Sequence, residues 1–442
     1  MNRFNLSTLA TAAFATTLLC APLRLAQAGG EGFSKDDLGG GKETIDSKYS
    51  EDVGLGKFKA NPWHISVSVR GGYDDNVNLS SFDQRESWFT NLALGVNYTF
   101  GSPRTRISLN GGVSATYFFN NGDDDGFLNG DSDEDWAVNT WFNFSITHKA
   151  TPRLTLAADL SMGYFTRPGF DTFNAALFAV DRRNQNFFQT TNKFSVGYAW
   201  TPRFSTVTSY TLGYIDYEDD IISQFEDRFE HTIGNEFRFL LMPTTTLVAE
   251  YRYGIVDYVN DNDRGSHSHF FLGGIDHSFS PRFNVSVRAG VELRSFDDDA
   301  DLVIGGDLDD DETAPYAEAT LRYAVAQHTS ITWVNRYALE QPNVPDALSR
   351  QTFRTALSLQ HAFTPRITGL LNFAYQHDQY DETFAIAAFD EDAFDIGVIL
   401  RYAMNRNLSF DLGYQHTEVD SGEGLFREFS RNQYWAGITW TW

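Results

Sequence analysis

Cysteine occurs once in the 442 residues, at Cys20, and basic residues are few: 34 Lys and Arg stand against 59 Asp and Glu, a formal charge of −25. Too few cations remain for a phosphate-binding face, so a nucleic-acid partner is excluded. Beyond the amino terminus no apolar run approaches the roughly 18–20 residues that a membrane-spanning helix needs. What is abundant is aromatic or small: 38 Phe, 20 Tyr, 9 Trp and 35 Gly. That mixture suits strands and tight turns better than helices.

Residues 1–28 read as an export signal peptide. Arg3 precedes the apolar stretch 6–21, and Ala26-Gln27-Ala28 offers an A-x-A cleavage site before Gly29. Bulky Leu19 beside Cys20 argues against a lipoprotein. Losing 1–28 would remove the lone cysteine, and with it disulfides, zinc–thiolate sites and thiol nucleophiles. Residues 29–62 carry Gly29-Gly30 and Gly39-Gly40-Gly41 among scattered Lys and Asp, with no sustained period. They read as a flexible periplasmic N-terminal segment.

From Trp63 to Trp442 a repeat appears. Ser102-Pro103-Arg104, Thr151-Pro152-Arg153, Thr201-Pro202-Arg203, Ser280-Pro281-Arg282 and Thr364-Pro365-Arg366 recur, with Met242-Pro243-Thr244, Ala326-Gln327-His328 and Asn405-Arg406-Asn407 in equivalent places. Proline cannot donate to a β ladder but suits a tight turn, so each triplet separates two strands. Midway between them lie longer acidic stretches, at 120–135, 216–227, 297–312 and 380–392. Short turns alternating with long loops are the signature of an outer-membrane barrel.

Period-2 alternation supplies the strands. Phe283, Val285, Val287, Ala289, Val291 and Leu293 alternate with Asn284, Ser286, Arg288, Gly290, Glu292 and Arg294. Such runs exceed the usual five or six residues of a soluble strand and suffice to cross a bilayer at a tilt. Eight short turns imply nine hairpins. The expected fold is therefore all-β: an antiparallel up-and-down transmembrane barrel of about 18 strands, with short periplasmic turns and long acidic extracellular loops. Trp63, Trp141, Trp200, Trp440 and Trp442 fall near expected strand ends, where an interfacial aromatic girdle belongs. The last strand resembles those read by the barrel-insertion machinery, which end on an aromatic residue, here Trp442.

A barrel this wide leaves an aqueous lumen unless something fills it. Parity places Arg238, Arg252, Arg288, Arg294, Arg322, Arg336, Arg354 and Arg401 inside, with Glu236, Glu250, Glu292, Glu318 and Asp411. Opposite charges across a narrow lumen either set up a transverse field that sorts solutes or pair and fill the interior. Phe118, Trp435, Tyr164 and Phe188 are candidates for an inward aromatic surface on which sugar rings stack.

Other chemistry finds little footing. The acidic loops could hold Ca²⁺, or bridge through it to lipopolysaccharide phosphates, but none has the spacing of a calcium loop. Solvated loops that attract cations are the simpler account. In Ser266-His267-Ser268-His269 the two His share one face and the two Ser the other, so a lipase-like His–Ser pair cannot form within the strand. No metal site, cofactor or catalytic residue is expected.

The first strand ends Gly72-Tyr73-Asp74-Asp75-Asn76-Val77. This resembles the openings of barrels in the putative β-barrel porin type 2 family of Gram-negative outer membranes, often found with exopolysaccharide export systems. The resemblance implies a similar barrel over 63–442 and places Asp74, Asp75 and Asn76 near the outer end of its first strand. Side-chain-to-backbone capping there is as reasonable as ligand binding. The expected function is an outer-membrane porin-like channel for hydrophilic solutes, with exopolysaccharide or sugars as candidate permeants and membrane lipid and lipopolysaccharide as surroundings. The alternative is a closed structural or adhesive barrel acting through its acidic loops.

Overall fold

The computed structural model describes residues 63–119, 135–166, 186–260, 265–296, 311–326, 328–343, 347, 349–380, 387–422 and 427–442. The expected signal peptide, the segment 29–62 and most of the stretches 120–135 and 297–312 lie outside the described residues.

Eighteen strands follow one another in order. The first nine are β1 (Trp63–Asp74), β2 (Ser87–Gly101), β3 (Thr105–Phe118), β4 (Trp136–Lys149), β5 (Leu154–Thr166), β6 (Asn186–Ala199), β7 (Phe204–Tyr217), β8 (Arg228–Met242) and β9 (Thr245–Tyr258). The second nine are β10 (Ser266–Ser280), β11 (Phe283–Phe296), β12 (Asp311–Ala326), β13 (Thr329–Glu340), β14 (Arg350–Thr364), β15 (Ile367–Tyr380), β16 (Phe389–Ala403), β17 (Leu408–Ser421) and β18 (Phe429–Thr441). Each pairs antiparallel with its neighbours, and β1 also pairs with β18, from Ser66↔Thr441 to Asp74↔Gln433. The sheet is a closed barrel. Trp442 completes the seam, its N–H donating to the Ile65 carbonyl at 2.7 Å.

The eight tight turns fall where the triplets stand. Thr151 Oγ1 accepts from the N–H groups of Arg153 (3.2 Å) and Leu154 (3.0 Å), and Thr201 and Thr364 repeat the pattern. Ser102 caps Arg104 and Thr105 in the same way, and Asn405 caps Asn407 and Leu408. The Ser, Thr or Asn that opens six of the eight triplets thus caps its turn, and where proline follows it presets the backbone.

The two faces invert a soluble protein. On the convex face Val69, Leu412 and Ile438 are 50–53% exposed, while Ser68 on the concave face is fully buried. Apolar side chains outside and polar ones inside are stable only if the outer solvent is lipid. Two aromatic bands edge the convex face. Trp63–Tyr98, Tyr198–Trp200 and Trp440–Trp442 lie at the end with the short turns; Tyr73–Trp88 and Tyr117–Trp136 lie at the other. Trp141 is a correction: it sits mid-strand in β4 on the concave side, its ring laid over Gly112.

At the end away from the short turns, described connections press onto the concave face. Val77, between β1 and β2, packs with Phe89, Phe118, Ala137 and Trp435. Ile222 of a short helix, α1 (Asp220–Glu226), packs on Phe187, Ile215 and Tyr217. Ala347, between β13 and β14, packs on Tyr380. The 216–227 stretch, expected as an acidic loop, is instead the end of β7 and a helix capped by the Asp219 carboxylate. Burial, opposed by the bonds from Ser223 and Tyr217 N–H and reinforced by nearby Asp216, pushes the Asp227 carboxyl up to about 6. Two further acidic stretches also shrink: Asp311 and Glu312 open β12, and Glu391 and Asp392 belong to β16.

Candidate functional site on the concave face

The concave face divides into two arcs of different chemistry. Over β2–β7 it is mostly amide, hydroxyl and glycine. Asn91 donates to Thr116 (2.8 Å), Asn110 to Asn97 (2.6 Å) and Ser161 to Asn143 (2.8 Å). The charges in mid-wall here, Asp159 and Lys193, are register partners on β5 and β6.

Over β8–β18 and β1 the face is charged and compensated. Arg238 bridges Glu236 (2.9 Å) and Asp276 (2.6 Å), and Asp276 also holds Arg288 (2.8 Å). Arg252 pairs with Glu250 and reaches Glu318 at 3.1 Å, three strands away around the wall. Side chains that meet across intervening strands must share the concave side. Arg294 pairs with Glu292 at 2.8 Å, and Ser268 donates to the same carboxylate. Tyr316 donates to Glu318 (2.7 Å) and accepts from Arg252 (2.9 Å).

A second cluster spans β13–β15. Glu340 accepts from Arg354 Nη1 at 2.9 Å and lies 3.6 Å from Arg336 and 3.8 Å from Arg350. Arg350 pairs with Asp378 at 2.9 Å, and Arg354 Nε donates to Gln376. Farther round, Arg401 pairs with Asp411 at 2.6 Å. Arg322, near the short-turn end of β12, keeps concave parity and is exposed. A buried guanidinium needs this many oxygens, because desolvating it unpaired costs several kcal/mol, on the order of 3–5 when one partner is missing.

The motif at the end of β1 joins the network across the seam. Asp74 is fully buried; it accepts from Arg431 Nε at 3.0 Å and from Gln433 at 2.8 Å, and its Oδ1 accepts the Asn76 N–H at 3.1 Å. Asp75 accepts from the backbone and side chain of Asn432. Asn76 donates to the carbonyls of Ser80 and Ser430, both at 2.9 Å. Tyr73 lies on the convex side with its hydroxyl on Glu86.

Asp276, Glu340, Arg350, Asp378 and Arg431 belong to these clusters yet are absent from the sequence-derived set. Parity alone would have supplied Asp276; Glu340 and Arg350 sit at the ends of β13 and β14. Of the four aromatic candidates, Phe118 and Trp435 are concave but buried in the Val77 cluster. Tyr164 and Phe188 are corrections: each is one residue out of phase and lies on the convex face, as register partners. His267 and His269 are also convex, bonded to Tyr253 (3.1 Å) and Tyr251 (2.9 Å), while Ser266 and Ser268 are buried on the opposite side. A groove of about 710 Å³ at the β17–β18–β1 seam, lined by Gly71, Tyr73, Leu400, Leu412 and Tyr434, is convex and apolar, so it faces lipid.

A closed, inside-out antiparallel barrel of 18 strands has the architecture of an outer-membrane β-barrel. Residues 259–441 match the family model described as "Putative beta-barrel porin 2", the family that the end of the first strand resembles; Gly72–Val77 itself lies outside the matched residues. Among solved structures the chain is similar to outer membrane protein OpdK from Pseudomonas aeruginosa, with 11% identity, a TM-score of 0.42, and coverage of 86% of this chain and 99% of that one. It is also similar to OccAB3 from Acinetobacter baumannii, with 10% identity, a TM-score of 0.43, and coverage of 87% and 100%. No curated protein matches the chain. The barrel rests on its strand pairing, not on these likenesses.

Proposed function

We propose that this chain forms a water-filled outer-membrane channel for hydrophilic solutes, with neutral sugars or an exopolysaccharide as permeants. The observation that carries the reading is the division of the concave face into an amide and hydroxyl arc over β2–β7 and a charge-compensated arc over the rest. A polyhydroxylated solute exchanges hydrogen bonds with the first arc at little net cost. Among the described residues most charges of the second arc are paired, which leaves little net charge there to trap or repel it. In this reading Arg238, Arg252, Arg288, Arg294, Arg322, Arg336, Arg354 and Arg401, with Glu236, Glu250, Glu292 and Glu318, line the passage. The short turns face the periplasm, the acidic loops face the medium and draw cations to the mouth, and Trp442 closes the strand presented for insertion.

The inward connections favour a second reading, a closed barrel acting through its surface. Swelling of liposomes loaded with purified protein separates the two. The channel predicts swelling in isotonic neutral monosaccharide, slower swelling in disaccharide and slower still in trisaccharide. Protein-containing liposomes that swell no faster than empty ones in every sugar would overturn it.

A further inference from the structure

The connection 75–86 does not project away from the barrel. Val77 is fully buried against Phe89, Phe118, Ala137 and Trp435, concave residues of β2, β3, β4 and β18. Two residues on, Leu79 packs against Ala393, Val419 and Phe429, concave residues of β16, β17 and β18. One connection therefore lies along the inside of the wall from β16, across the seam, to β4.

Its shape is fixed from within and from below. Val77 N–H donates to the Arg85 carbonyl at 2.8 Å, Asn78 donates to the Asp83 carbonyl and accepts from Arg85 N–H, and Asn76 both donates to and accepts from Ser80. Beneath it, Asp74 and Asp75 are bound to Arg431, Gln433 and Asn432 of β18. Leu79 holds φ at 54°, a left-handed conformation that a leucine adopts only when its surroundings hold it there. A loop held by two hydrophobic anchors, a closed set of backbone bonds and a bridge to the facing strand is a fixed part of the wall.

We infer that the connection 75–86, seated by the Asp74–Leu79 motif, is the size-limiting constriction of this channel at the end away from the short turns. The inference rests on the channel reading above. It assigns the motif a task that neither strand capping nor ligand binding describes: Asp74, Asp75 and Asn76 fasten the loop, while Val77 and Leu79 press it onto the wall.

Asp74 and Ser87 are register partners, so 75–86 can be replaced by Asn-Gly, which closes a two-residue hairpin. Single-channel conductance and exclusion of polyethylene glycols of graded size are then compared in planar bilayers. The inference predicts a larger conductance for the shortened chain and a shift of the exclusion limit to larger polymers. A conducting natural chain with an unchanged shortened one overturns the inference and leaves the channel standing. A silent natural chain with a conducting shortened one supports the inference and overturns the channel reading of the intact protein. Silence from both overturns both. Should the shortened barrel fail to fold, Leu79→Cys with Val419→Cys, in a chain carrying Cys20→Ser, decides the matter: a short bis-methanethiosulfonate cross-linker, which forms a disulfide with each thiol and releases methanesulfinate, should join the pair without changing conductance, and failure to join it overturns the inference.

Discussion

Glu340→Gln is expected to destabilise the barrel by about 3–5 kcal/mol and to shift ion selectivity toward anions. Glu340 is the shared carboxylate of three guanidiniums, those of Arg336, Arg350 and Arg354. With its charge removed, Asp378 and Glu318 are left as compensation, and they already serve Arg350 and Arg252. The substitution keeps the shape and one acceptor oxygen, and loses the charge together with one of the two hydrogen bonds from Arg354. Unfolding in urea measures the first effect and the reversal potential across a KCl gradient the second. Pairing it with Arg354→Met should recover part of the stability, because the charge left unpaired is removed as well; a cycle with no coupling would mean that the cluster does not act as a unit.

Asp74→Ala is the second large effect, again about 3–5 kcal/mol, because it strands the buried Arg431 guanidinium. Its location differs: Asp74 and Arg431 hold the outer end of the seam where β1 meets β18. Loss should therefore appear first as faster amide hydrogen exchange in β1 and β18, with β8–β11 protected as before. Asp74→Asn keeps one acceptor oxygen for the Asn76 N–H, though not the second that takes Gln433, and should cost less. Uniform loosening around the wall would show that the seam has no special dependence on this pair.

The barrel was legible because its signals are local. Thr151, Pro152 and Arg153 contain their own turn, cap included, and Phe283 to Arg294 declare two faces by parity alone. What was missed depends on contacts between distant residues. Ile221 and Ile222 sit in an acid-rich stretch, and only the concave cluster of Phe187, Ile215 and Tyr217 gives a helix there something to pack on. Glu340 and Arg350 were not singled out, and their place in the wall is set by pairing with each other at the far ends of β13 and β14. Tyr164 and Phe188 were displaced by a single step of a period-2 pattern, which is enough to move a side chain from water to lipid. The inward course of 75–86 could not be read at all, since Leu79 finds its neighbours, and Val77 its partner Trp435, more than 300 residues along the chain in β16–β18.

Two glycines show how closely the concave wall is fitted. A Cβ at Gly72 would run into the Phe89 ring and the Tyr434 carbonyl, and one at Gly413 into the indole of Trp435. Those rings lie flat against the wall because glycine lets them, which keeps bulky side chains from standing across the interior.

The most direct test of the whole account is ionic current through the purified, full-length protein in a planar bilayer. A closed cylinder that is apolar outside and wet within predicts discrete current steps of uniform size that add as molecules insert. A bilayer that stays silent at high protein load, with the barrel shown to be folded and inserted, would contradict it.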